Sequence, residues 1–577
     1  MPRQRKKAAA ASAGDSEIRL LAWLATCVAV LSVLYYYQRG DVMLYGDAVA
    51  HINIARRVFD SKTPGLLQLG TVWLPLPHLL MIPFVISKKM WQTGIGGSIP
   101  SLVAYVVGSV GMLRLVRGSL PRTSDKDPMP HVAGWTAAII YAANPNLIYM
   151  QTTAMGESLY LAFFIWTVVF FSEFQRGDSR TLTKCGLCLL GATLTRYDGW
   201  FLAAAMAAVI VLQAFAQRRK SSKEGASGKA ISVRARPGAL MRFMLIAVAG
   251  PALWLAYNAI VYRNPLEFEN GPYSAKAIER RSQNADHPGH PGTDNLVTAS
   301  LYFVKSGEAN MAANEWLQRA WVILALAGIC GATFVGWSRK DAESAPQAAF
   351  AQAPASKKGV AWPLWFLFLP VPFYALSVAY AGVPIFVPAW WPFTMYNVRY
   401  GLQLLPGFAA GLALLVWLVV RTEKWPWRVR LLSLLAAFVF AGASYAWVWR
   451  SGPLCLREAE VNMRSRNHLE EQLAEWLGKL PPNATILMYL GDHVGALERA
   501  GIPLKHVINE GNHRVWKQPY DPEGLWERAL ADPRKYVDYV VAFENDPVWK
   551  AVHGDHLDDL VEIHVSGQAP VILYRAR

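Results

Sequence analysis

Apolar residues run through this 577-residue chain in long blocks separated by short polar connections, as far as about residue 450. A helix needs about 20 residues to cross roughly 30 Å of hydrocarbon, at 1.5 Å per residue. The pattern predicts spans at 18–37, 98–117, 132–150, 158–174, 199–217, 240–261, 317–337, 360–380, 398–420 and 431–449. Two other apolar segments decide the topology. Segment 74–86, LPLPHLLMIPFVI, has 13 residues and carries Pro75, Pro77 and Pro83, so it is too short to cross. It reads as an interfacial helix lying along the membrane surface. Segment 185–216 is interrupted by Thr195-Arg196-Tyr197-Asp198-Gly199 and reads either as one tilted helix or as two short ones.

Charge chooses between these. The chain holds 57 Lys and Arg against 41 Asp and Glu, a net charge of +16. Such a balance fits nucleic acid or the cytoplasmic loops of a membrane protein. The apolar blocks favour the second, and no nucleic-acid partner is expected. Arg3, Arg5, Lys6, Lys7 and Arg19 precede the first span and place the N-terminus in the cytoplasm. With 185–216 split, the inner connections hold 28 basic residues. The outer ones before residue 450 hold half as many over longer loops. A single helix would move the eight basic residues of 216–242 to the outer side. The chain therefore reads as a polytopic α-helical protein of the inner (cytoplasmic) membrane, with about 11 transmembrane helices.

The expected organisation is a basic cytoplasmic N-terminus over 1–17 and a transmembrane domain over 18–449 with outer loops 38–97 and 262–316. An extracytoplasmic (periplasmic) α/β domain follows over 450–577. The N-terminal apolar run is too long for the core of a cleaved signal, and no A-x-A site follows it. Loop 338–359, rich in Ala, Ser and Lys, reads as a flexible linker. In the last domain 463–479 reads as an amphipathic helix. Segments 484–490 and 536–543 read as strands, and 560–565 with 570–576 as a hairpin turning at Ser566-Gly567-Gln568. Helices are expected near 494–500 and 523–531. The charged fraction, 17%, is below the roughly 25% of soluble proteins, and five cysteines are too few for a disulfide framework. Cys185 and Cys188 form a C-x-x-C on an apolar helix and read as packing.

Ionisable residues near membrane depth on the outer side carry the candidate chemistry, because burying them is expensive. Asp47 follows span one and serves either as the N-cap of a helix over 48–60 or as a base or ligand. His51, four residues on, shares its helix face. Glu157 stands where one span turns into the next, as a dipole-favoured helix start or as a functional acid. Arg196 and Asp198 occupy the break in 185–216, as a buried pair or as part of a site. Arg399 ends a late span, as a snorkelling side chain or as an anion ligand. Arginine's rigid fork of donors suits phosphate, and a carboxylate can deprotonate an acceptor hydroxyl. The two arginines are expected to converge on one cavity facing the outer leaflet, with Asp47 and Glu157 on its far wall. Arg399 has no acid within twenty residues, so an arriving phosphate would satisfy it.

These residues stand in the order of the motifs of the GT-C superfamily of polyprenyl-phosphate-sugar-dependent glycosyltransferases, and over residues 15–450 the chain resembles that superfamily. The branch holds the lipid A aminoarabinose transferases, the protein O-mannosyltransferases and the Rgt-type bacterial enzymes. Gly46-Asp47 resembles the acidic motif of the first outer loop, and Trp73-Leu74-Pro75-Leu76-Pro77-His78 the proline element before the interfacial helix. Thr195-Arg196-Tyr197 is similar to the T-K/R-Y element, and Arg399-Tyr400 with Leu404-Leu405-Pro406 to the late R-Y-x-L-P element. The chain has Asp47-Ala48 where many relatives have Asp-Glu, and it lacks a W-W-D signature in 450–577, which favours a single-sugar donor.

The resemblance implies an inverting glycosyltransferase that moves a sugar from a polyprenyl-phosphate donor to a hydroxyl or amine on a lipid, glycan or protein acceptor at the outer face. Asp47 would be the catalytic base and Glu157 would assist. Arg196 and Arg399 would bind the donor phosphate, with His51, His78, Asp198 and Tyr400 in support. A divalent cation is a candidate cofactor, with Asp47 and Glu157 as candidate ligands. Two other classes stay open from the residues alone: a transporter or flippase of lipid-linked sugars, and a non-catalytic relative whose outer domain binds a partner. A transporter usually shows internal repeats and a mid-bilayer site, and this chain shows neither.

Overall fold

The computed structural model describes residues 2–121, 127–223, 237–282, 289–343, 359–422, 425–491, 493–512, 524–554 and 557–577. Among these, nine helical segments are long and apolar enough to cross a membrane. They are Ser16–Gln38, Ile95–Ser119, Glu157–Gln175, Asp198–Ala216, Pro237–Val261, Glu315–Val335, Trp362–Tyr380, Val398–Val420 and Trp427–Leu477. The chain is an integral membrane protein. Two segments are the most enclosed, Val398–Val420 with 83% of its apolar window buried and Glu157–Gln175 with 78%. Ser16–Gln38, Asp198–Ala216 and Pro237–Val261 bury only 28% each and form the rim. The rim is therefore apolar on the surface that a soluble protein would make polar. At the centre Gly328 and Gly411 let helices Glu315–Glu343 and Leu405–Val420 cross with backbones in contact.

The two remaining expected spans are short helices. Segment 132–150 divides into Met129–Ala142 and Pro145–Met150. Proline pushes the residue before it out of the helical region, and Asn144 accordingly has ψ 122°. Its side chain caps the second helix by accepting the Leu147 N–H at 3.0 Å. Residues 185–193 of the expected span 185–195 lie in Thr181–Thr193, about 20 Å long at helical rise. The chain breaks at 194–197 and restarts as Asp198–Lys223, where the polar insert predicted a break. Only glycine fits at 199, because a Cβ there would stand 2.6 Å from the Ala192 carbonyl.

On the side of the molecule where these breaks lie, the first loop forms helix Gly46–Arg57, and the interfacial segment forms Leu76–Val85. The helix expected over 48–60 starts and ends earlier, and its N-cap is Tyr45. Asp47 sits in the first turn and its side chain caps nothing, so the N-cap reading is set aside. The amphipathic helix expected over 463–479 extends over Leu454–Leu477, following Trp427–Ser451 after a short turn. Residues 344–358 of the expected linker and 224–236 of the expected 216–242 loop lie outside the described residues.

The C-terminal region carries a five-stranded sheet of β1 (Ile486–Met488), β2 (Val507–Ile508), β3 (Tyr539–Phe543), β4 (Asp558–Ile563) and β5 (Val571–Arg575), in the order β2-β1-β3-β5-β4. The first three strands are parallel, with Ile486 opposite Val507 and Tyr539. β5 runs antiparallel to β3 and closes the hairpin with β4. The two-residue β2 was not foreseen, because two apolar residues leave no periodicity to read. This region docks on the first loop. Asn53 donates to Glu498 at 2.6 Å, the Lys505 backbone N–H donates to Asp60 at 3.1 Å, and Asn512 donates to Thr63 at 2.9 Å.

Candidate active site

The ends of five sequence-distant segments meet at one group of charged residues. Helix Gly46–Arg57 brings Asp47 and His51, and helix Glu157–Gln175 starts at Glu157. The break before Asp198 brings Arg196. A tight turn, Val398–Leu404, brings Arg399 after Asn397, whose left-handed φ of 55° suits asparagine. Helix Leu454–Leu477 brings Glu458.

Arg399 is the hub. Its Nη2 donates to Asp47 Oδ2 at 2.5 Å, and its Nη1 donates to Glu458 Oε1 at 2.9 Å. Its Nε lies 3.4 Å from Glu157 Oε1 as an ion pair. Its own backbone N–H donates to the second oxygen of Glu458 at 3.3 Å. Tyr45 donates its hydroxyl to that same oxygen at 3.0 Å. Arg196 sits beside this hub. Its Nη1 donates to Glu157 Oε1 at 3.1 Å, its Nε to Asp198 at 3.4 Å and its Nη2 to the Tyr374 hydroxyl at 2.9 Å. One oxygen of Glu157 therefore stands between both guanidinium groups. Tyr400 lies under both, with its ring centre 4.7 Å from Arg196 and 5.0 Å from Arg399. Gln403 and Tyr374 donate to Asp198 and tie the two halves together.

Exposure separates the roles. The side chains of Glu157, Asp198, Glu458 and Arg399 are 7% exposed or less. Arg196 is 19% exposed and Asp47 39%. Asp47 is thus the carboxylate of this group that meets the surroundings. Four carboxylates face two arginines, so acid is in excess in this group while all are ionised.

A second pair stands alongside. His51 Nδ1 and His78 Nε2 are 2.8 Å apart, and the Trp73 ring lies 4.8 Å from that of His51. Burial pushes His51 down to about 4. Asp47 and Glu157 pull it up and Arg196 and Arg399 push it down, so they oppose one another. Burial likewise holds His78 well below the ordinary imidazole value.

The structure therefore brings Arg196 and Arg399 together and corrects two expectations. Asp47 and Glu157 do not form a far wall but touch the arginines directly. Arg399 does not lack acids, since three surround it. Glu458 is 59 residues away in sequence, and Asp47 is 352 away, so no local spacing revealed them. Sequence reasoning also missed Tyr45, Tyr374 and Gln403. For Gln403, a polar side chain in an apolar span was the available signal. Among the described residues no three His, Cys, Asp or Glu side chains group as a metal site. The two candidate ligands, Asp47 and Glu157, each turn one carboxylate oxygen toward a guanidinium group, and the second oxygen of Glu157 is buried without a hydrogen-bond partner.

No family model matches the sequence, and no curated protein matches it. Among solved structures, the chain is similar to ArnT from Cupriavidus metallidurans, solved apo and bound to undecaprenyl phosphate. The identity is 14%, the match covers 97% of this chain and 98% of ArnT, and the TM-score is 0.50. The chain has the GT-C fold. The oligosaccharyltransferase of Archaeoglobus fulgidus is also similar, at 12% identity over 91% of this chain and 69% of that one, with a TM-score of 0.45. The charged group described above is the part of this fold where Asp47, Glu157, Arg196 and Arg399 come together.

Proposed function

We propose that the protein is a glycosyltransferase of the cytoplasmic membrane that moves a sugar from a polyprenyl-phosphate donor to a hydroxyl or amine on a lipid, glycan or protein acceptor. The reaction takes place at the outer face, with the N-terminus in the cytoplasm and the C-terminal domain outside. One observation carries this reading. In a GT-C fold, Asp47 is held by Arg399 at the edge of a buried ion cluster and is its exposed carboxylate. The donor class is supported by the likeness to a protein solved with undecaprenyl phosphate.

In this reading Asp47 takes the proton of the acceptor hydroxyl or amine as that atom bonds to the anomeric carbon. The carbon–oxygen bond to phosphate breaks on the opposite face, its electron pair stays on the phosphate, and the configuration inverts. Arg399 fixes Asp47 and keeps its carboxylate next to a cation, while Glu157 and Glu458 fix Arg399. Arg196, the more open arginine, faces the phosphate, with the charge of Arg399 behind it. Asp198 and Tyr400 hold the arginines in place, with His51 and His78 alongside in support.

Purified protein in detergent, given undecaprenyl phosphates carrying different radiolabelled sugars, should release polyprenyl phosphate from one of them. That release should vanish in Asp47→Asn. Movement of the lipid-linked sugar across a vesicle without its consumption would replace this reading with a transporter.

A further inference from the structure

The two histidines beside the ion cluster fix each other's protons. His51 lies four residues after Asp47 in helix Gly46–Arg57, on the same face. Its Nδ1 and the Nε2 of His78 are 2.8 Å apart, a distance that requires one proton between them. His78 is fully buried, and its other nitrogen, Nδ1, has no hydrogen-bond partner.

Two neutral arrangements satisfy the contact. In the first, His51 donates from Nδ1. His78 then carries its own proton on Nδ1, a buried N–H with nothing to accept it, which is costly. In the second, His78 donates from Nε2, and the unpartnered N–H moves from His78, which is fully enclosed, to Nε2 of His51, which keeps 7% exposure. This arrangement also gives both rings their proton on Nε2, the commoner tautomer of neutral imidazole. The second arrangement wins on both grounds. His51 is then left with an N–H on Nε2, a nitrogen with no hydrogen bond among the described residues. Trp73 against the ring fixes its plane. Asp47, Glu157, Arg196 and Arg399 face His51, and His51 and Arg57 face His78. Burial, with Arg196 and Arg399, outweighs Asp47 and Glu157, so neither ring is an imidazolium at neutral pH.

We propose that His51 presents its Nε2–H as an uncharged donor to the phosphate of the lipid-linked donor, and that His78 is the positioning residue that sets this tautomer. The proposal rests on the glycosyltransferase reading above. When the sugar leaves, the phosphate diester with one negative charge becomes a monoester with two, so a fixed N–H at that oxygen binds more strongly as the bond breaks. His51 keeps its proton throughout, and the acceptor's proton ends on Asp47. An uncharged donor suits this place, because an imidazolium would bind the nearby Asp47 carboxylate and compete with the acceptor for it.

The test is nitrogen-15 NMR of histidine-labelled full-length protein in lipid nanodiscs, with His51→Gln and His78→Gln assigning the signals by difference. At pH 7 His51 should show a protonated Nε2 and a bare Nδ1, unchanged down to pH 5. Undecaprenyl phosphate should shift the Nε2–H signal, and inorganic phosphate at equal concentration should not. A protonated Nδ1, or titration of His51 near 6.5, overturns the tautomer. An unmoved signal in protein that still turns over its donor overturns the phosphate contact, and a shift with inorganic phosphate alone overturns the lipid headgroup as its source. An unmoved signal without any donor turnover tells against the glycosyltransferase reading itself. In activity, His51→Phe should lose about 10²-fold in kcat, the usual effect of removing one such donor. His51→Gln, which keeps an N–H, should recover part of it. Equal losses in both variants would mark His51 as packing only.

Discussion

Replacing Asp47 by asparagine removes a proton acceptor and almost nothing else. Asparagine has the same shape, and its amide oxygen can still accept from Arg399 Nη2, now 2.5 Å away. Arg399 keeps Glu458 at 2.9 Å and Glu157 at 3.4 Å, so the hub stays neutralised. Asp47 is 39% exposed, so its ion pair contributes at most about 1 kcal/mol of stability. Its place in the first turn of the helix adds about 0.3–1 kcal/mol at most. The fold should therefore lose under about 2 kcal/mol. Loss of a general base costs about 10²–10⁴-fold in rate, or roughly 3–5 kcal/mol of barrier. Measured together, single-turnover release of polyprenyl phosphate should fall by at least about 100-fold. The thermal midpoint in detergent should move by only a few degrees. An Asp47→Asn protein within about threefold of the parent rate would refute the base assignment, since such a change is too small for a lost proton acceptor.

Arg399→Ala should cost about 3–5 kcal/mol, because Glu458 would be left buried without its cation while Glu157 keeps only Arg196. Arg399→Lys should fold better but lose rate, since an ammonium cannot reach three carboxylates at once; thermal melts beside donor-saturation curves check both, and an Ala variant as stable as the parent would count against the hub. Ser566→Cys should react with a membrane-impermeant thiol reagent in intact bacterial spheroplasts and Ser222→Cys only after permeabilisation; the reverse pattern would invert the proposed topology. Cys455 is buried and can stay in place for that experiment. Burial raises Glu498 well above the usual carboxyl range, with Glu470 adding to the shift and Asn53 and Arg499 opposing it. The folded protein therefore holds a proton that the unfolded chain loses above about pH 4.5, and this site destabilises the fold as pH rises. Glu498→Gln should raise the melting temperature at pH 7–8 and lose that advantage near pH 4, and a gain independent of pH would show that Glu498 is ionised in the fold.

The amino-acid order by itself determined what long-range packing could not alter. A bilayer demands about 20 apolar residues per crossing, so the spans stood out in the composition, and the interruption at 195–199 announced a broken helix. Asp47, Glu157, Arg196 and Arg399 were visible because charged residues at membrane depth are too expensive to keep without a use. What the sequence could not supply was which charge meets which. Arg399 read as an arginine without an acid, yet its partners arrive from positions 47, 157 and 458. Glu458 sits on a helix whose amphipathic pattern pointed only to its later turns, and nothing local marks it as the residue that holds Arg399. The division of 132–150, read as one span, into two helices follows from Pro145 and local backbone sterics. The joining of His51 to His78, and the exposure of Asp47 among buried neighbours, depend on how helices cross. Those crossings are set by side-chain packing summed over the whole bundle, and only the tertiary structure decided them.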